Sequence, residues 1–142
     1  MTTYLRRVAL AAALLAAAAT LTVLLGAAGQ ARAALAAPNA SDCTITGHNG
    51  DNVLNGTPGA DVICGLGGDD RIRGLGGKDE IRGGGGNDVL YGGAGSDRVF
   101  GEEGDDIVHT TDGVQGNDLA DGGQGTGDSC RTDPRDEAVR CP

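Results

Sequence analysis

The sequence predicts an all-β repeat fold, one turn and one short strand for every nine residues, and three observations predict it. Nine residues recur in unbroken register from Gly47 to His109, as GHNGDNVLN, GTPGADVIC, GLGGDDRIR, GLGGKDEIR, GGGGNDVLY, GGAGSDRVF and GEEGDDIVH. A fixed period of this kind sets the architecture before any local propensity is consulted. Positions one and four of every block are glycine, as a tight turn with close backbone approach requires. Position eight is always aliphatic (Leu54, Ile63, Ile72, Ile81, Leu90, Val99, Val108) and sits between two outward positions, which suits a strand of alternating faces.

The elements follow in chain order. Residues 1–36 read as a secretory signal peptide: Arg6 and Arg7 precede an apolar run from Val8 to Leu25, and small residues (Ala31-Arg32-Ala33, Ala34-Leu35-Ala36) offer cleavage after Ala33 or Ala36. A retained membrane anchor is the alternative; no basic stop-transfer cluster follows Leu25, and after cleavage no membrane association is expected. Residues 37–46 form an N-terminal cap, in which Thr44-Ile45-Thr46 keeps the phase of a strand with Ile45 at position eight. Residues 47–130 form the repeat array. Thr110-Thr111-Asp112 is an insertion, after which GVQGNDLAD (Gly113 to Asp121) resumes the register with Asp118 at position six and Ala120 at position eight. GGQGTGDSC (Gly122 to Cys130) carries one extra residue, so Asp128 matches only with a slip. The charged tail, residues 131–142, reads as a C-terminal cap.

Position six is Asn52 and then Asp61, Asp70, Asp79, Asp88, Asp97 and Asp106. With the glycines and the position-eight aliphatics, this resembles the RTX nonapeptide G-G-x-G-x-D-x-U-x of the haemolysin-type calcium-binding family, over about Gly47 to Cys130. Position two departs from the motif: only Gly84 and Gly93 match, while His48, Thr57, Leu66, Leu75 and Glu102 do not. The resemblance implies a parallel β-roll in which each nonad is half a coil, with positions one to six in the turn and seven to nine in the strand. It also implies calcium held between the turns of nonads n and n+2, about five or more ions in all. Asn52, Asp61, Asp70, Asp79, Asp88, Asp97, Asp106, Asp118 and Asp128 are the candidate ligand residues, and the turn of Asn52 adds no charge to its pair.

Elementary energetics point the same way. One buried aliphatic per nine ordered residues is too thin a core to offset chain entropy. Carboxylates stacked about 4.8 Å apart, one strand spacing, repel unless a cation lies between them. Calcium supplies both missing terms, because it takes about 6–8 oxygen ligands from carboxylates and peptide carbonyls.

Four cysteines in an exported chain read as two disulfides. On the implied roll, Cys64 and Cys130 lie several coils apart, beyond the Cα reach of about 7 Å that a bridge tolerates. Cys43–Cys130 is disfavoured for similar reasons, which favours Cys43–Cys64 and Cys130–Cys141, one near each end, where an open solenoid needs capping.

Removing residues 1–36 leaves 8 basic and 20 acidic residues, net −12, with Tyr91 and Phe100 as the aromatics. Such acidity argues against nucleic acid and for cations as counter-charge. No Gly-x-Ser-x-Gly setting, Cys-x-x-Cys pair or EF-hand spacing occurs, His48 and His109 are isolated, and the Gly-rich runs are repeat glycines rather than a nucleotide-binding loop. The expectation is a secreted, non-enzymatic calcium-binding protein. If odd and even nonads form opposite sheets, Arg71, Arg73, Arg82 and Arg98 give the outer faces a basic centre, and an adhesive role toward an anionic polysaccharide or a cell-surface partner is the alternative.

Overall fold

The computed structural model describes residues 42–142, so the expected signal peptide at 1–36 and residues 37–41 of the cap lie outside the described residues. The chain winds through β1 (Ile45–Thr46), β2 (Val53–Asn55), β3 (Val62–Gly67), β4 (Arg71–Gly77), β5 (Glu80–Gly85), β6 (Val89–Gly95), β7 (Arg98–Glu103), β8 (Ile107–His109), β9 (Leu119–Asp121), β10 (Ser129–Arg131) and β11 (Glu137–Val139). Alternate strands go to opposite sheets, ordered β1-β3-β5-β7-β9-β11 and β10-β8-β6-β4-β2. Every pairing between these strands is parallel, and each residue faces its equivalent one coil away, as in Val62↔Glu80 and Arg71↔Val89. This is the expected parallel β-roll: two nonads make one coil, and the turns of odd and even nonads stack along opposite edges.

The core is the predicted single file. Ile63, Ile72, Ile81, Leu90, Val99, Val108 and Ala120 have no exposed surface, with Ile45, Leu54 and Cys130 packed on the cluster. No second apolar layer exists among the described residues, so side-chain packing alone gives the coil little cohesion.

The strands of the middle coils are longer than the three residues expected. In β3 to β7 the ladder skips position one and resumes at positions two and three, as in Leu66↔Gly84 and Gly67↔Gly85. The backbone bends at position two instead of ending there, with positive φ at Leu66 (84°), Leu75 (79°), Gly84 (117°), Gly93 (106°) and Glu102 (79°). Three of the departures from the glycine motif therefore sit in the left-handed region, which side chains adopt at a cost of about 1–2 kcal/mol.

The insertion at 110–112 loops out and the register recovers, with Val99 opposite Ala120. The extra residue after Gly122 is absorbed in its turn, so Cys130 pairs with Val108. A direct count of nine from Gly122 puts Cys130 at position nine, but the register puts it at position eight, facing the core. The ladder also continues into the tail: Ala138 pairs with Ala120, and Asp136 takes the position-six place before it. Both disulfides form as expected, Cys43–Cys64 with Cα atoms 6.0 Å apart and Cys130–Cys141 at 5.6 Å. Cys130 ends the apolar column, so the second bridge covers the open end of the core.

Candidate metal centre

The position-six side chains turn inward beneath the turns and are buried; Asp79, Asp88 and Asp97 each expose 1% of their surface and Asp106 none. They are placed there by the glycine at position one of the same block. A Cβ on Gly65, Gly74, Gly83 or Gly101 would collide with Oδ2 of Asp70, Asp79, Asp88 or Asp106, so the turn closes over the carboxylate only with glycine.

One oxygen of each carboxylate has a fixed partner. Asp70 Oδ1 accepts from the Asn52 N–H at 2.7 Å, Asp79 from Asp61 at 2.9 Å, Asp88 from Asp70 at 2.7 Å, Asp97 from Asp79 at 2.9 Å and Asp106 from Asp88 at 2.8 Å. Asp118 and Asp128 extend the two rows, accepting from Asp97 at 2.8 Å and Asp106 at 2.9 Å. All nine candidate residues therefore stand in two in-register files, Asn52, Asp70, Asp88, Asp106 and Asp128 on one edge, Asp61, Asp79, Asp97 and Asp118 on the other.

The second oxygen sets the first turn of each file apart from those that follow. Oδ2 of Asp70, Asp79, Asp88, Asp97, Asp106 and Asp118 is buried without a hydrogen-bond partner. A buried carboxylate oxygen with no donor is costly, and its cost shows in acidity. Burial pushes the Asp88 carboxyl up to about 7 against the pull of the Asp70 N–H, and the charges of Asp106, Asp70 and Asp69 add to the rise. Burial likewise lifts Asp118 to about 6, and it raises Asp79, Asp97 and Asp106 above the usual carboxylate range.

The first two turns differ. Asp61 Oδ2 accepts from the Thr57 N–H at 2.7 Å and hydroxyl at 2.9 Å, which holds its carboxyl below the usual range. Asn52 Oδ1 accepts from the His48 N–H at 3.1 Å, and its Nδ2 is ringed by Asp70 Oδ1 at 2.8 Å, the His48 carbonyl at 3.0 Å and the Gly50 carbonyl.

A further file escaped the sequence reading. At position five of the odd turns, Asp51 Oδ1 accepts from the Asp69 N–H at 2.9 Å, Asp69 from Asn87 at 2.8 Å, and Asn87 from Asp105 at 2.9 Å. The signal was an Asp/Asn period of 18 residues, visible only when odd and even blocks are read separately. Asp136, in the tail, accepts at Oδ1 from Gly116 at 2.7 Å and Asn117 at 3.2 Å, continuing the even edge.

The donor chemistry fits a hard cation. The orphaned atoms are carboxylate oxygens, and the turns around them present peptide carbonyls. Among the described residues no three or more His, Cys, Asp or Glu side chains converge as a metal-ligating group, so carbonyls must complete the shell. That set suits calcium and not zinc.

The RTX calcium-binding nonapeptide repeat model, four copies long, matches residues 46–81 and again 73–108. No curated protein and no solved structure matches the chain.

Proposed function

With residues 46–108 identified as RTX calcium-binding nonapeptide repeats, we propose that this is a secreted, non-enzymatic protein whose β-roll orders on meeting extracellular calcium. The observation that carries the reading is the set of six buried Oδ2 atoms without a donor, three on each edge. Bound calcium supplies positive charge and a coordination partner to those oxygens. The chain does the rest: position-one glycines seat the carboxylates, the N–H of the preceding coil fixes Oδ1 of each, and the turn carbonyls stand ready as neutral ligands. The ligand residues proposed are Asp70, Asp79, Asp88, Asp97, Asp106, Asp118 and Asp128, for about five or more ions; of the other candidates, Asn52 is held by His48 and Asp61 by Thr57. Binding to the folded state alone adds RT ln(1 + [L]/Kd) per site, with Kd about 10⁻⁴–10⁻³ M, the range of extracellular modules. Circular dichroism during a calcium titration tests this. A gain of β signal by millimolar calcium is expected, and its absence rejects the reading.

A second reading rests on the outer faces. Arg82 bonds Glu80 at 2.7 Å and Glu102 at 3.3 Å, and Arg98 lies 3.7 Å from Glu80, so that sheet neutralises itself. On the other sheet Arg71 and Arg73 both lie 5.8 Å from the Tyr91 ring, which stacks on His109 at 5.0 Å, and outward strand positions seven and nine there hold no acid. A flat cationic and aromatic strip suits an anionic polysaccharide. Retention on such a matrix, released by chelator and lost in Arg71→Ala/Arg73→Ala, would support adhesion; equal retention of the variant excludes this strip.

A further inference from the structure

The first turn of the roll gathers the same kinds of oxygen as its successors, but a nitrogen stands among them. Asn52 Nδ2, with two hydrogens to donate, is ringed by three acceptors: Asp70 Oδ1 at 2.8 Å, the His48 carbonyl at 3.0 Å and the Gly50 carbonyl. These are one carboxylate oxygen and two turn carbonyls, all acceptors. The amide orientation is fixed independently, because Asn52 Oδ1 accepts from the His48 N–H at 3.1 Å. The residue is buried, so water does not compete for these bonds. We infer that the Asn52 amide takes the place of a cation, closing the first turn without calcium and making the N-terminal coil a metal-independent template for the rest.

Three neighbouring observations agree. Asp61, in the second turn, is also satisfied internally, by Thr57. Orphaned oxygens begin only at Asp70 and recur through Asp118. The Cys43–Cys64 bridge, 21 residues apart, spans both satisfied turns and ties the cap to β3. Demand for metal thus starts where the covalently closed segment ends. A preformed coil presents strand edges and N–H groups in register, which removes the costly first step of winding a solenoid whose repeats each contact only their neighbours.

This inference rests on calcium loading of the later turns, and its test keeps the two apart. Native mass spectrometry with calcium chloride counts ions on the full chain and on Asn52→Asp. The variant is expected to hold one ion more than the parent, because a carboxylate there has lost the donor hydrogens and gained charge. An unchanged count on a protein that still folds with calcium overturns the inference and leaves the calcium reading standing; a parent that takes up no calcium overturns that reading first. Should Asn52→Asp not fold, hydrogen exchange of the parent in chelator decides. Amides between residues 44 and 64 are expected to exchange at least tenfold more slowly than those between 80 and 108. Equal exchange in the two segments overturns the template.

Discussion

Asp88→Asn should change the stability of the roll in opposite directions with and without calcium. Asp88 lies in the middle of its file, exposes 1% of its surface, and keeps Oδ1 on the Asp70 N–H while Oδ2 has no donor. Its carboxyl is raised from 3.8 to about 7, chiefly by burial. A folded pKa above the unfolded one means the metal-free fold holds the proton more tightly. The group's contribution is therefore fully present below about pH 4 and is lost as pH rises through about 7. At 1.36 kcal/mol per pKa unit, ionising it inside the metal-free fold costs roughly 4 kcal/mol by pH 8. An amide carries no such charge and can donate to turn carbonyls as Asn52 does, so in EGTA at pH 8 the variant should be the more stable by up to that amount. In calcium the order inverts, since a site filled at 100 times its Kd contributes about 2.7 kcal/mol and the amide weakens it. Osmolyte-driven folding in EGTA and urea unfolding in calcium, both followed by circular dichroism, read the two signs. At pH 4 in EGTA the two proteins should coincide. A variant that is less stable than the parent under both conditions at pH 8, or equal to it in both, refutes the reasoning.

Four other outcomes follow from the same geometry. Calcium uptake should release protons and tighten from pH 5 to 7.5, because Asp88 at about 7 and Asp118 at about 6 must lose theirs; titration calorimetry in buffers of different ionisation enthalpy would show it, and a heat independent of buffer would contradict it. Gly95→Ala should prevent the roll from forming, since φ there is 141° and a Cβ would meet the Gly77 carbonyl. Leu75→Gly should instead stabilise the folded form by about 0.5–1 kcal/mol, the relief of a left-handed side chain less the entropy glycine adds to the unfolded chain; thermal melts of both variants in calcium check the pair. Replacing Cys43 and Cys64 with serine should cost about 3 kcal/mol and raise the calcium midpoint of folding. An unmoved midpoint would mean that the N-terminal coil does not template the rest.

The roll was legible because its period is written in side chains whose roles do not depend on context. Glycine at position one is needed wherever a carboxylate is buried beneath it, and an aliphatic at position eight is needed wherever a strand faces the column. What the nonad template hid lies off its period or off its phase. The position-five file of Asp51, Asp69, Asn87 and Asp105 repeats every 18 residues, since only alternate turns stack on one edge. Asp136 and Cys130 lie off phase: slack in the turns at 110–112 and 122–128 shifts register without disturbing the ladder, and only the pairing of Val108 with Cys130 and of Ala120 with Ala138 shows where the slack goes.

Asn52 exposes the limit of reading residues by type. Counted as charge, it is a defective ligand that weakens its pair. Placed in its turn, it is a donor among acceptors, and the defect becomes a closure. The difference arises because a carboxylate and an amide of the same shape fill the same volume with opposite demands: one leaves an oxygen that needs a partner, the other brings the partner. An array of aspartates alone would require metal at every rung, with no rung able to form first. One amide at the disulfide-closed end removes that requirement locally, and the orphaned oxygens from Asp70 onward then give calcium an edge from which to wind.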